Sequence, residues 1–150
     1  MANHLLALLS IALLTGCVRY SEVEIVGVQD VQVTRFDATG LSATVTVEVN
    51  NPNNYRISVT DPDVDLYIND VAMGKATLDS MVTLDPASTR TYVLPLHATF
   101  TNGQAGMLPL LMTVALTGSV KLGLKGTAVG KAGMLRKRFP VEVEQRVDFR

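Results

Sequence analysis

Residues 47–59 read VEVNNPNNYRISV. Val47 and Val49 alternate with Glu48, the mark of a strand buried on one face. Four asparagines, Asn50, Asn51, Asn53 and Asn54, then surround Pro52, and alternation resumes at Ile57 and Val59. Proline holds φ near −65° and has no N–H to give a ladder. Asparagine tolerates turn geometry and hydrogen-bonds nearby backbone. The stretch therefore reads as strand, structural turn and strand, with Tyr55 returning the chain to the core. Asn53 and Asn54 are the residues a ligand would meet if the turn were a site.

Period 2 continues on both sides. Leu41, Ala43, Val45, Val47 and Val49 share one face, opposite Ser42, Thr44, Thr46 and Glu48. Upstream, Val23, Ile25, Val31, Val33 and Phe36 carry the pattern, and residues 38–40 read as a turn. Downstream, Val64, Leu66 and Ile68 alternate with Asp63, Asp65 and Tyr67. Asn69-Asp70 then suits a tight hairpin into residues 71–78. Residues 89–100, TRTYVLPLHATF, place Tyr92, Leu94, Leu96, Ala98 and Phe100 on one face. Pro95 within them predicts an edge strand or a bulge. Residues 103–118, GQAGMLPLLMTVALTG, crowd apolar side chains between glycines without alternation. They read as a short helix over 104–114 with Pro109 in its first turns; a buried strand is the competing reading. Residues 119–129 and 134–149 form a final hairpin, with 130–138 as its loop. Evenly spaced strands with turns between them predict an all-β antiparallel sandwich.

The first residues follow other rules. Residues 5–14, LLALLSIALL, make a ten-residue apolar run, the length of a signal-peptide core and too short to span a bilayer. The run ends in Leu14-Thr15-Gly16-Cys17, which resembles the bacterial lipobox. That resemblance implies cleavage before Cys17, acylation of its thiol and a membrane anchor. Val18 after it favours the periplasmic face of the outer membrane by the same resemblance. Residues 1–16 are thus expected to be a leader, 17–22 a lipidated tether and 23–150 the folded domain. Cys17 is the sole cysteine, so no disulfide forms within the chain and the domain rests on its core. Charge is nearly balanced, 13 Lys+Arg against 14 Asp+Glu, which gives nucleic acid no global attraction.

Residues 45–78, VTVEVNNPNNYRISVTDPDVDLYINDVAMGKATL, resemble the late embryogenesis abundant (LEA) type 2 family, also called the water stress and hypersensitive response (WHy) domain. The resemblance rests on Asn51-Pro52-Asn53 at a strand end, Tyr55 after it, the strands around 57–59 and 64–68, and Gly74. Residues 86–89 before the next strand, the Leu-rich segment and the last two strands extend it over about 23–149. It implies an immunoglobulin- or fibronectin III-like β-sandwich of about seven strands with one short α-helix. It also implies a non-enzymatic role in stress or desiccation tolerance, protecting proteins or membranes.

Side chains for catalysis are sparse. His97 lies alone on a predicted strand, there is no Gly-x-Ser-x-Gly elbow, and no cofactor motif or small-molecule substrate site is evident. Asp61, Asp63 and Asp65 begin like a calcium loop, but Leu66 and Ala72 stand where an EF-hand needs Gly and Glu. No metal is therefore expected there. Lys131, Arg136, Lys137 and Arg138 concentrate positive charge in the predicted last loop, a candidate contact for anionic headgroups or phosphates. The expected partners are the membrane, through acyl chains on Cys17, and partly unfolded client proteins or lipids. A lipid-binding or transfer module, with residues 107–116 as a lid, and a structural adaptor in an envelope complex are the alternatives.

Overall fold

A computed structural model describes residues 19–101 and 107–148. Eight strands and one helix follow in chain order: β1 (Glu24–Asp37), β2 (Gly40–Asn51), β3 (Ile57–Ile68), β4 (Val71–Leu78), β5 (Val82–Leu84), β6 (Ser88–Phe100), α1 (Met107–Thr117), β7 (Ser119–Ala132) and β8 (Leu135–Asp148). All described pairings are antiparallel and lie on one path, β1-β2-β6-β4-β3-β7-β8, with β5 added beside β3. The two ends of the path, β1 and β8, lie against each other without a ladder. The expected all-β, antiparallel, one-helix architecture is present. Its sheet is continuous and curls into a nearly closed barrel around one interior.

The curling has a local cause in β1. Residues 23, 25, 28, 31, 33 and 36 turn inward, a period of 2 broken three times by an extra residue. The pairing with β2 shifts at the same places, between Ile25 and Gly27, Val28 and Asp30, and Val33 and Arg35. Each bulge bends and twists the edge strand, so it wraps toward β8. In β3 a fourth irregularity, between Thr60 and Asp63, contains Asp61 at φ 46° and Pro62. Residues 57–59 and 64–68 are therefore one strand with a kink.

Other expectations need correction. Pro95 is not on an edge strand, because β6 lies between β2 and β4. Its ladder-facing side points past the end of β4, whose last pair is Leu78 with Leu96, and its carbonyl accepts from the Asp79 amide at 3.0 Å. The missing N–H thus costs no strand pairing. The loop expected over 130–138 is only a two-residue turn, Gly133-Met134. Gly133 takes φ 58°, and Lys131 pairs with Arg136 within the ladder. Basic side chains suit the solvent face of a hairpin as well as a loop, which hid the strand. Residues 107–117 are helical, closing the helix-or-strand alternative; the expected start at Gln104 lies outside the described residues. The helix runs past 114 to Thr117 and ends at Gly118, at φ 67°, whose amide donates to Val114 O at 2.8 Å.

Two packed clusters fill the barrel. Met107 and Leu110 of α1 join Leu41, Leu66, Ile68, Met73, Phe100, Val120 and Val147 to cap one end. Val23, Val45, Val47, Val49, Ile57 and Leu84 fill the other, with Tyr20, Tyr55 and Ala132 against them. The ends are about 35–40 Å apart along a twelve-residue strand such as β2.

Between β3 and β7 the backbones nearly touch. A Cβ on Gly126 would sit 2.1 Å from Asp63 O, whereas one on Gly27 meets nothing within 4 Å. Gly126→Ala should therefore destabilise the domain by about 1–3 kcal/mol in thermal or urea unfolding, and Gly27→Ala should stay within about 0.5 kcal/mol of the parent.

Candidate functional site

The asparagine motif sits at the end of the barrel away from α1. Asn51 is 1% exposed and Asn53 is 3% exposed, so each amide must find partners inside the protein. Asn51 Nδ2 donates to Tyr55 O and Asp85 O, both at 3.0 Å. Its Oδ1 accepts from Asn53 N at 3.1 Å and Asn53 Nδ2 at 3.0 Å. Those four bonds use the full capacity of a carboxamide. Asn53 reaches in the other direction: Oδ1 accepts from Ser21 N and Nδ2 donates to Ser21 O, each at 2.7 Å. The Asn53 carbonyl accepts from Ala87 N at 2.7 Å.

Two adjacent asparagines therefore join three segments distant in sequence: the entry to β1, the β2–β3 connection and the β5–β6 connection. Pro52 and Asn54 stay exposed and act only through the shape of the turn. Tyr55 packs against the nearby cluster that contains Val49 and Ile57. Asp85 adds an exposed ion pair with Arg90 at 3.0 Å and a longer one with Arg56 at 3.8 Å. Nothing in the residue pattern pointed to Ser21 as the partner of Asn53, because a polar residue in a tether looks like any other.

Ala132 places the β7–β8 hairpin at this same end. Lys131 Nζ and Arg136 Nη2 flank Asp61 Oδ2 at 3.2 and 3.4 Å. The Lys131 ammonium, helped by the Thr60 hydroxyl, holds the Asp61 carboxyl below its usual range. Lys137 and Arg138 follow on exposed backbone of β8, and Met134 stands fully exposed at the turn. The structure thus gathers the four basic residues and the asparagine motif at one end. Cys17 lies outside the described residues.

Carboxylates on β3 and β8 are answered by cations. Lys75 bridges Asp63 at 2.7 Å and Asp65 at 3.0 Å, and both carboxylates raise its pKa. Lys125 bridges Glu144 and Glu142 across β7 and β8. Pairs from the last two strands back to β3 and its following turn are Lys131 and Arg136 with Asp61 and Lys121 with Asp70, because β3 and β7 are neighbours. Among the described residues no cluster of three His, Cys, Asp or Glu side chains is placed to hold a metal.

His97 is less isolated than its sequence suggests. Its Nδ1 meets Asp79 Oδ1, and its Nε2 lies 2.8 Å from Thr77 Oγ1. Hydroxyl, imidazole and carboxylate stand in the order of a hydrolase triad. However, the trio lies on the outer sheet face, and Thr77 and His97 are directly paired across β4 and β6. Catalysis would also need preorganised donors at a developing oxyanion. The three groups tie the end of β4 to β6. Inside the barrel, two apolar cavities of about 30 and 80 Å³ share Val45, Ala76, Leu96, Leu124 and Val143.

The family model described as late embryogenesis abundant protein matches residues 46–145. The chain belongs to the LEA type 2 family. The solution structure of an Arabidopsis thaliana protein shares the fold, at TM-score 0.59 and 11% identity over 89% of this chain and 88% of that one. A crystal structure of an Archaeoglobus fulgidus protein is also similar, at TM-score 0.51 and 14% identity over 87% and 97%. No curated protein matches the chain. In this LEA type 2 chain the matched segment opens in β2 and runs into β8, so the asparagine junction falls within it.

Removing either buried amide strands several polar groups, at about 1–3 kcal/mol for each group left unsatisfied. Asn51→Ala and Asn53→Ala should each lower the unfolding midpoint clearly, whereas the exposed Asn54→Ala should change it little. Asn53→Ala should also speed proteolysis near Arg19, because Ser21 loses its partner.

Proposed function

We propose that this LEA type 2 protein is a non-enzymatic, lipid-anchored envelope protein that protects other proteins or membranes under water stress. In this reading Cys17 carries the acyl chains, residues 17–22 are the tether, and the domain stands at the periplasmic face of the outer membrane. Its clients are partly unfolded proteins that expose apolar surface.

One observation carries the protective part of the reading: α1 is apolar on both sides. Met107 and Leu110 face the core, while Leu108 (67% exposed), Leu111, Met112 and Leu116 (82% exposed) face outward. The helix has no charged residue in its eleven positions. Helices apolar all round are normally covered, so an uncovered one offers surface to another apolar group. The face lies at the end of the barrel opposite Ser21, pointing away from the proposed anchor. A lipid-transfer role draws less support, since sites for such ligands usually enclose roughly 300–1,000 Å³ and the interior cavities are far smaller. Lipid entry would require the β1–β8 seam to open.

Heating a thermolabile enzyme with this protein tests the reading by light scattering. The parent chain should suppress aggregation, and a chain carrying Leu108→Gln, Met112→Gln and Leu116→Gln should lose most of that effect. Aggregation unchanged by the parent chain would overturn the protective role.

A further inference from the structure

The β7–β8 turn combines three features. Met134 occupies the apex of a tight hairpin and is 102% exposed, the most exposed of the large apolar side chains described. Lys131, Arg136, Lys137 and Arg138 flank it within eight residues of chain. Among the described residues only Asp61 forms an ion pair with any of them, through Lys131 and Arg136, while Asp63, already bridged by Lys75, feels Arg138 more weakly, so the group keeps a net positive charge. Finally, Ala132 packs in the same cluster as Tyr20, which puts the turn at the end where the chain enters the domain.

An exposed methionine is costly in water and is not needed to form this turn, since Gly133 supplies the left-handed residue. Ringed by cations, it has the character of a membrane-surface element: apolar apex for the acyl boundary, positive flanks for phosphates. Position supplies the partner. Ser21 is held by Asn53, so only residues 18–20 separate that junction from Cys17, a reach of about 14 Å at full extension. The apolar segment 5–14 precedes them. Whatever attaches the upstream chain to a bilayer brings this turn to its surface.

We propose that the β7–β8 turn docks on an anionic bilayer, with Met134 entering the headgroup–acyl boundary and Lys131, Arg136, Lys137 and Arg138 meeting lipid phosphates. This inference rests on the anchored reading for its geometry, and it fixes the orientation of the domain: barrel axis upright, α1 farthest from the membrane. Asp61 then tunes the contact by holding two of the cations in place beside the turn.

The test uses the full chain with Met134→Cys carrying an environment-sensitive fluorophore, in vesicles of phosphatidylcholine with or without phosphatidylglycerol. The parent chain, taken through the same labelling, reports any signal from Cys17. Emission should shift to the blue in the anionic vesicles only, and the shift should vanish in about 1 M salt, where the Debye length is roughly 3 Å. Adding Lys137→Glu and Arg138→Glu should lower the docking equilibrium constant at least roughly 25-fold, about fivefold for each cation lost. Equal emission in both vesicle types, or a shift indifferent to those reversals, would overturn the proposal. Flotation with the uncharged vesicles reads anchoring separately. A chain that floats there without an anionic shift keeps its anchor and loses the docking turn. One that shifts without floating keeps the turn and loses the anchor.

Discussion

The carboxamide of Asn51, buried and fully bonded, is the constraint on which the end of the barrel where β1 begins depends. A buried amide has no water to fall back on, so all its bonds must form together or not at all. Asn51 bonds to the backbone at Tyr55 and Asp85 and to the side chain and amide of Asn53. Asn53 in turn holds Ser21 and Ala87. Three crossings that would otherwise be loose loops are thereby fixed at one end of the sheet. Hydrophobic packing could not do this alone, because the backbone groups involved lie beyond the strand ladders.

The opposite end is closed differently. There α1 lies across the barrel mouth and supplies Met107 and Leu110 to the core. One end is thus fixed by polar bonding and carries positive charge, whereas the other is fixed by apolar packing and leaves apolar surface exposed. This polarity puts the basic hairpin at the end where the chain enters the domain and the exposed apolar helix face at the opposite end.

Much of the fold could be read from the residue pattern. Alternation in 41–49 and 64–68 predicted β2 and the second half of β3, and Asn69-Asp70, with φ of 49° and 66°, is the tight turn expected of it. The closure of the sheet was harder to read. It depends on three bulges in β1, each visible only as an inward residue displaced by one position. Pro95 misled because a proline's tolerance depends on where the neighbouring strand ends, which local sequence does not contain. The basic segment 130–138 misled because charge marks exposure and says nothing of whether exposed backbone is loop or ladder. At the candidate site, the turn chemistry of Asn51 and Asn53 was legible, and their partners were not. Ser21 and Ala87 are more than thirty residues away along the chain, and either could have pointed into solvent.

Amide hydrogen exchange at Ser21, Asn53 and Ala87 measures the asparagine junction most directly, since each N–H donates within it. If the junction holds this end of the barrel closed, these three amides should exchange almost as slowly as those in the centre of β2. Exchange of the Ser21 amide at the rate of open chain, with β2 still protected, would contradict the account.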